Sequence, residues 1–431
     1  GIEVDEGVRG VLLKHGGRIA TEKVVLTTGT FLAGILHHGL QKTVGGRLGD
    51  GAAHDLAASL RALGLRLGRL KTGTVPRLDG RTIDWDQLEL QSDVVDACFS
   101  FQAERPAPIG RIDCHLAYTH PGIHALVQAN LDRAPMFTGD IQGTGPRYCP
   151  SIEDKVFRFP DRDRHLLFLE PEGLNTDRVY VNGLSTSLPP DVQDAMIAAI
   201  PGLENARILQ HGYAVEYDFA DPRDLTMGLE HERIPGLFLA GQVNGTSGYE
   251  EAAVQGFIAG VSAIRGEPFV LARDEAYIGV LIDDLTQRGG GGEPYRMFTS
   301  RAEHRLLLRE DNADRRLLPK GRALGLIDDP TWAAYETRQR QLTDAMGCLE
   351  RPVRPDTGTI AALENAGLGG LKKPSTVGEV LRRPNASWAT LAPLFDLPPL
   401  DAGTAEALET DVKYAGYIER ASRRAANARK A

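Results

Sequence analysis

The apolar positions of this chain change rhythm along its length. The first two thirds hold short apolar runs that end in glycine, which is strand-and-turn patterning. Val8 to Lys14 and Arg18 to Leu26 flank a Gly16-Gly17 turn, so this stretch is expected to fold as a hairpin of two strands. Leu166-Leu167-Phe168-Leu169 also has the look of a strand. From Glu250 to Gly260 the pattern is helical, with acidic residues in the first turn, and Ala252, Ala253, Gly256 and Gly260 offer a face for close approach. Tyr277 to Leu285 and Trp332 to Leu349 have helical apolar spacing. Arg351 to Pro393, with several prolines and glycines, is expected to be a mixed connector. Trp85 and Trp332 are expected in the core, and there are no internal repeats.

Two of the apolar runs end alike. Val24-Val25-Leu26 runs into Thr27-Thr28-Gly29-Thr30-Phe31, and Gly236-Leu237-Phe238-Leu239 runs into Ala240-Gly241-Gln242. Buried strands that end in small residues suit a doubly wound dinucleotide fold, where ligands lie beyond the carboxyl ends of the strands. An ordinary strand-and-turn is the alternative for each piece alone. The helix after Gln242 would offer backbone N–H groups to a polar ligand. No Gly-x-Gly-x-x-Gly occurs, and Gly289 to Gly292 is a flexible turn, since no Gly-Lys-Ser/Thr follows. The chain is therefore expected to start partway into such a domain.

Composition adds limits. The length of 431 residues, 42% hydrophobic and 25% charged, fits a soluble multidomain protein. No apolar run is long enough to span a membrane, and the start, Gly1 to Glu6, has no signal-peptide pattern. Cys98, Cys114, Cys149 and Cys348 are too irregularly spaced for a disulfide framework or a CxxC metal site, so a reducing cytoplasm is expected. The net charge of -9 argues against a uniformly basic nucleic-acid binder but leaves room for a local basic patch.

One cysteine stands apart. Cys149 lies in Gly145-Pro146-Arg147-Tyr148-Cys149-Pro150-Ser151-Ile152-Glu153-Asp154-Lys155, where Arg147 and Lys155 would favour the reactive thiolate. The alternative is a loop cysteine without a role. Cys98, Cys114 and Cys348 have no motif around them.

These residues carry a resemblance. The chain resembles the glucose-inhibited division protein A family, the FAD-dependent tRNA uridine 5-carboxymethylaminomethyl modification enzymes. The matching segments are Val24 to Phe31, Gly45 to Asp50 with Gly68 to Thr74, Gly145 to Phe159, and Ala240 to Gly260; Pro294 to Asp314 and Lys413 to Ile418 match as well. The resemblance implies an α/β fold: a Rossmann-like FAD-binding domain, glutathione-reductase-like and incomplete here, with an inserted α/β domain and a C-terminal helical domain. It divides the chain at residues 1–75 (FAD domain, second half), 76–216 (inserted domain), 217–265 (return to the FAD domain) and 266–431 (helical domain). It also implies a glycine-rich FAD loop and a second functional cysteine ahead of this segment, and further chain beyond Ile418.

The implied reaction adds a one-carbon unit from methylenetetrahydrofolate, and glycine or ammonium, to carbon 5 of a wobble uridine, with FAD and NADH taking part. Cys149 matches one of the family's two functional cysteines. A thiolate adding to carbon 6 of uracil would make carbon 5 nucleophilic. Gly241, Gln242, Thr28, Gly29 and Thr30 are implied in flavin binding. Gly145, Pro146, Arg147, Tyr148, Pro150, Ser151, Ile152, Glu153, Asp154 and Lys155 are implied in nicotinamide cofactor contacts. A tRNA partner needs positive charge, and Arg296, Arg301, Arg305 and Arg309 offer it. The last three are four residues apart and would share one helix face, either tracking phosphates or pairing with Glu303, Glu310 and Asp311. A homodimer and a GTPase partner of the same pathway are implied too. A related folate-dependent tRNA uridine methyltransferase flavoprotein, and a catalytically silent tRNA- or partner-binding piece, are the alternatives.

Overall fold

The computed structural model describes residues 1–91, 112–148 and 150–429. Among these, contacts divide into two compact units, residues 1–270 with 281–297, and residues 271–280 with 298–431.

The first unit opens with a meander of β1 (Ile2–Val4), β2 (Val8–Leu12) and β3 (Arg18–Ala20). Here the sequence expectation needs correcting, because Arg18 to Leu26 is not one strand. β3 ends at Ala20, and β4 (Val24–Leu26) leaves for another sheet. Thr21 turns the chain by bonding its hydroxyl to the Lys23 carbonyl, 2.9 Å.

A hairpin of β5 (Ile35–His38) and β6 (Gln41–Val44), then α1 (His54–Ala62), leads to β7 (Leu67–Gly73). The next region builds an antiparallel sheet from β8 (Arg77–Asp79), β9 (Glu89–Gln91), β10 (Cys114–Tyr118), β11 (Leu166–Pro171), β12 (Arg178–Asn182) and β13 (Ile208–Gln210). Their spatial order is β13-β8-β12-β11-β10-β9. The helices α2 (Pro121–Gln128), α3 (Ile152–Arg158) and α4 (Pro190–Ala198) share one apolar core with this sheet, built on Leu167, Leu169, Val181, Ile123, Ile152 and Met196. Trp85 packs against the edge of that core, half-buried, with its indole N–H on the Gly80 carbonyl.

β14 (Ala214–Ala220) then returns to the first region and inserts between β5 and β7, giving the order β6-β5-β14-β7. β15 (Leu237–Leu239) pairs with β4 in parallel, Leu239 opposite Leu26, and all three of its residues are buried, as parallel strands require. α5 (Tyr249–Arg265) follows. Its buried face is Glu251, Gln255, Ile258, Ala259 and Ser262. Of the small residues expected to allow close approach, Ala252 lies against the Gly241 turn, whereas Gly256 and Gly260 face open space and Ala253 is exposed. α6 (Tyr277–Asp283) runs into a π-helical turn at Asp284–Arg288.

The second unit contains α7 (Ala313–Ala323), α8 (Asp329–Cys348), the short pair β16 (Pro352–Val353) and β17 (Ser375–Thr376), then α9 (Thr357–Asn365), α10 (Val377–Leu381), α11 (Trp388–Phe395) and α12 (Ala402–Ala428). The expected connector from Arg351 to Pro393 is folded core. Short helices there are capped by Asp356, Thr376 and Ser387, and Trp388 is buried with its N–H on the Pro398 carbonyl, 3.0 Å. Trp332 is only half-buried and stacks on Tyr335, so the core tryptophan of this unit is Trp388.

Gly236 enters β15 at φ +85, and a Cβ there would lie 2.0 Å from the Glu22 carbonyl oxygen. A Gly236→Ala variant is expected to lose roughly 1–3 kcal/mol from backbone strain and the clash together, read as a lower midpoint in urea or thermal unfolding.

Candidate functional site

The parallel pair β4–β15 brings two glycine turns side by side, Thr27 to Thr30 and Ala240 to Gly245. Gly29 adopts φ +55 with nothing near its missing Cβ, and Gly241 adopts φ +87 with a Cβ position 3.4 Å from Ala252. Thr28 Oγ1 is buried and has no hydrogen-bond partner among the described residues. An orphaned hydroxyl beside an open glycine turn fits a polar ligand group. Thr30 differs, since its hydroxyl donates to the Gly46 carbonyl, 2.7 Å. Gln242 donates its amide to the Tyr217 hydroxyl, 2.8 Å, and no described residue bonds its carbonyl oxygen. Burial pushes the Tyr217 hydroxyl above its ordinary range, which keeps it protonated as a hydrogen-bonding group.

The turn after Gly241 is held from below by a residue the sequence reading missed. Gln255 on α5 accepts from Gly241 N (3.1 Å) and Asn244 Nδ2 (2.9 Å), and donates to Thr246 Oγ1 (3.0 Å). It is fully buried. An isolated glutamine in an apolar helical run was the available signal.

The loop that leads to residue 149 is anchored by a second missed residue. Glu216 on β14 accepts from the backbone N–H of Gln142 (3.0 Å) and Gly143 (2.8 Å) through Oε1. Its Oε2 lies 3.1 Å from Arg69 Nη2 and 3.7 Å from His37 Nε2. Burial alone would raise this carboxyl, but His37, Arg69 and the Gly143 N–H hold it down at about 2. Beyond that anchor, Thr144 bridges to Leu70 on β7, and Lys71 N donates to the Thr144 carbonyl, 3.0 Å. A Cβ at Gly143 would lie 2.7 Å from the Leu70 backbone, so only glycine lets the strands approach there.

Cys149 lies outside the described residues. The Tyr148 hydroxyl reaches the Ser247 carbonyl at 3.5 Å, and the Arg296 guanidinium sits 5.6 Å from the Tyr148 ring centre while donating to the same carbonyl, 3.0 Å. Arg296 also stands 3.6 Å from the buried Glu251, whose Oε1 accepts from Met297 N. The loop from Gly145 to Tyr148 is thereby brought beside the start of α5.

The rest of the segment divides between surface and support. Pro146 is buried, while Arg147 is exposed and 3.5 Å from Glu293. Pro150 is half-buried, and Ser151 caps α3 by accepting from Asp154 N. Ile152 is in the apolar core, so its side chain serves packing. Glu153 is buried and accepts from Thr186 Oγ1 and Ser187 N, which ties the loop to residues 186–187. Asp154 is buried, and Lys155 Nζ donates to the Gly183 carbonyl, 2.7 Å.

Arg301, Arg305 and Arg309 do not share a helix face. Thr299–Arg301 is a single 3₁₀ turn, residues 302–308 are irregular, and Arg309 precedes a 3₁₀ turn at Glu310–Asn312. Side chains there compete with the helical bonding pattern: Asn312 donates to the Leu307 carbonyl and Arg316 to the Arg309 carbonyl. Arg309 is paired with Asp311 and Asp411, whereas Arg301 and Arg305 are exposed. Among the described residues no group of acidic, histidine and cysteine side chains could hold a metal ion, and no helix is long and apolar enough to cross a membrane.

The class defined by this arrangement is a Rossmann-like FAD-binding fold with an inserted α/β region and a C-terminal helical region. Residues 1–267 match the profile described as Glucose inhibited division protein A, and residues 329–422 match the tRNA modifying enzyme MnmG/GidA C-terminal helical domain. A curated relative, tRNA uridine 5-carboxymethylaminomethyl modification enzyme MnmG of Syntrophotalea carbinolica, is 49% identical over 420 residues, covering 96% of this chain and 67% of its own length. Two crystal forms of Aquifex aeolicus GidA superpose with a TM-score of 0.87 at 40% and 41% identity, covering all of this chain and 69% and 70% of theirs. The chain belongs to the glucose inhibited division protein A family, a family of enzymes.

The Glu216 carboxyl makes one consequence measurable. Its folded value of about 2 lies below the 4.5 of a free glutamate, so its stabilising effect is complete above about 4.5 and is lost as pH falls through about 2. Urea unfolding of the wild type is expected to weaken steeply across that window. A Glu216→Gln variant is expected to be less stable at pH 7, by about 1–3 kcal/mol, and to show a flatter pH dependence.

Proposed function

We propose that the chain carries the catalytic loop and part of the flavin site of an enzyme that modifies carbon 5 of a tRNA wobble uridine. The observation that supports this most is the convergence of the Thr28–Thr30 turn, the Gly241–Gln242 turn and the Gly145–Tyr148 loop in one region of the first unit. FAD is held by Thr28, Gly29, Thr30, Gly241 and Gln242, with Gln242 oriented by Tyr217. Bound flavin supplies the electron-transfer chemistry that a reduced one-carbon unit from methylenetetrahydrofolate requires, with NADH as the reductant.

The chain's own residues do the rest. Cys149 adds as a thiolate to carbon 6 of the uracil, which places negative charge on the ring and makes carbon 5 nucleophilic. After carbon 5 has formed its new bond, its proton leaves and the thiolate is expelled. Arg147 and Lys155 favour the thiolate and contact the nicotinamide cofactor, together with the backbone of Gly145 to Asp154. Arg296, beside Tyr148, and the exposed Arg301 and Arg305 meet tRNA phosphates; Arg309, already paired, orients its own segment. Glycine or ammonium is the amine donor. The working assembly is a cytoplasmic homodimer with a GTPase partner. The family match to the MnmG relative favours this reading over the methyltransferase.

The test is the visible spectrum of the purified chain mixed with FAD and passed through gel filtration, followed by mass analysis of the wobble nucleoside of tRNA incubated with it. An oxidised-flavin band that co-elutes is expected, and Cys149→Ser is expected to keep the flavin while losing modification by a factor of at least about 100. Modification undiminished in the serine variant would remove Cys149 from the mechanism. A colourless chain would remove the flavin site from this polypeptide.

A further inference from the structure

One cavity of the first unit is lined by none of the residues assigned above, although its turn adjoins the Thr28–Thr30 turn through Gly46, whose carbonyl accepts from Thr30. It has a volume of about 460 Å³ and sits where the turn after β6 meets the β13-β8-β12 edge of the large sheet. Three arginines line it: Arg47 from the turn, Arg77 from β8 and Arg178 from β12. Only two carboxylates, Asp50 and Glu172, accompany them.

Two of the arginines are fixed before any ligand arrives. Glu172 is shared, with Oε1 2.7 Å from Arg77 Nε and Oε2 3.0 Å from Arg178 Nε. Arg77 is further locked by Thr74 Oγ1 and the Val75 carbonyl, and it stacks on the Tyr180 ring at 4.4 Å. Arg178 Nη2 is held by Gln210 Oε1, 3.2 Å. Among the described residues nothing bonds Arg77 Nη2 or Arg178 Nη1. A glutamate that binds both Nε groups thus spaces two guanidinium forks and leaves one outer nitrogen of each available.

The third arginine is different. Arg47 is 73% exposed and paired with Asp50 inside its own turn, a contact that water screens and an incoming anion can replace. That turn is itself located, because Leu48 N donates to the Tyr213 hydroxyl, 3.1 Å. Two rigid donors and one movable donor, coming from three segments, suit a tetrahedral oxyanion better than a planar carboxylate. A carboxylate is satisfied by one fork, whereas a phosphate presents oxygens in several directions.

We propose that this cavity is a phosphate site, with Arg77 and Arg178 as the fixed donors and Arg47 as the closing one, and that the phosphate belongs to the backbone of the bound RNA. The source of the phosphate rests on the tRNA-modifying reading; the site itself does not.

The experiment uses the full chain and the variants Arg47→Ala and Arg178→Lys. Affinity for tRNA is measured by fluorescence anisotropy over a salt series, and protection against thermal unfolding by inorganic phosphate is measured in parallel. Arg47→Ala is expected to weaken tRNA binding about 3–10-fold near 0.1 M salt and to make the slope of log K against log salt shallower by about one. Arg178→Lys keeps the charge and loses the fork, so it should weaken binding with little change of slope. Phosphate protection should fall in both variants. If protection depends on these arginines while the tRNA slope does not, the site stands and its phosphate is a free one. If the wild type protects with phosphate but binds tRNA no better than an unrelated polyanion, the site stands and the tRNA reading falls. If neither variant changes protection or tRNA affinity, the proposal is wrong.

Discussion

A single buried carboxylate sets the geometry of the first unit's centre. Glu216 stands on β14, the strand that returns from the inserted sheet and pairs between β5 and β7. One oxygen is taken by two backbone N–H groups at the start of the loop that leads to residue 149, and the other faces Arg69 and His37 from the two flanking strands. A charge buried this way costs solvation unless every lone pair is met. The unit meets that cost by bringing strand, neighbouring strands and loop to one point. Arg69 extends the same arrangement to the buried Asp218 two residues along β14, which also binds Arg61 of α1. The loop's origin is therefore as fixed as the sheet under it.

That fixed origin separates two kinds of residue within one sequence segment. Ser151, Ile152, Glu153 and Asp154 are buried and hold the start of α3 against the inserted sheet. Arg147 and Tyr148 project at the other end, toward Arg296 and the turn before α5. The described residues of this motif are fastened at both ends, by Glu216 through Gly143 and by Glu153 through Ser187.

What the sequence made legible follows from locality. The endings Leu26-Thr27-Thr28-Gly29 and Leu239-Ala240-Gly241-Gln242 are each readable, because a buried strand and its terminal glycine are neighbours in the chain. That the two pair in parallel, residue against residue, is consistent with the dinucleotide pattern they suggested. Glu216 was not legible, since its partners lie 73 and 74 residues away in the loop and the pattern around it is that of any strand. The arginines at 301, 305 and 309 have helical spacing without a helix, because Asn312 and Arg316 side chains bond the Leu307 and Arg309 carbonyls instead, which spacing alone does not show. The stretch from Arg351 to Pro393 reads as a connector because its prolines and glycines look like breaks, whereas in the fold they punctuate short capped helices around Trp388.

The same contrast bears on how charge is used here. Most arginines of the first unit are committed to carboxylates of their own fold: Arg69 and Arg61 on Asp218, Arg207 and Arg81 on Asp79. A chain of net charge -9 can spend its positive groups in this way and still present them where geometry leaves donors over. The cavity of Arg77 and Arg178 is such a place, because one glutamate shared between two guanidinium groups satisfies their inner nitrogens alone. The number of arginines matters less there than the unequal division of their donors. An acidic protein can thus meet a polyanion through a few preorganised forks without a basic surface, and the salt dependence of its binding counts those forks.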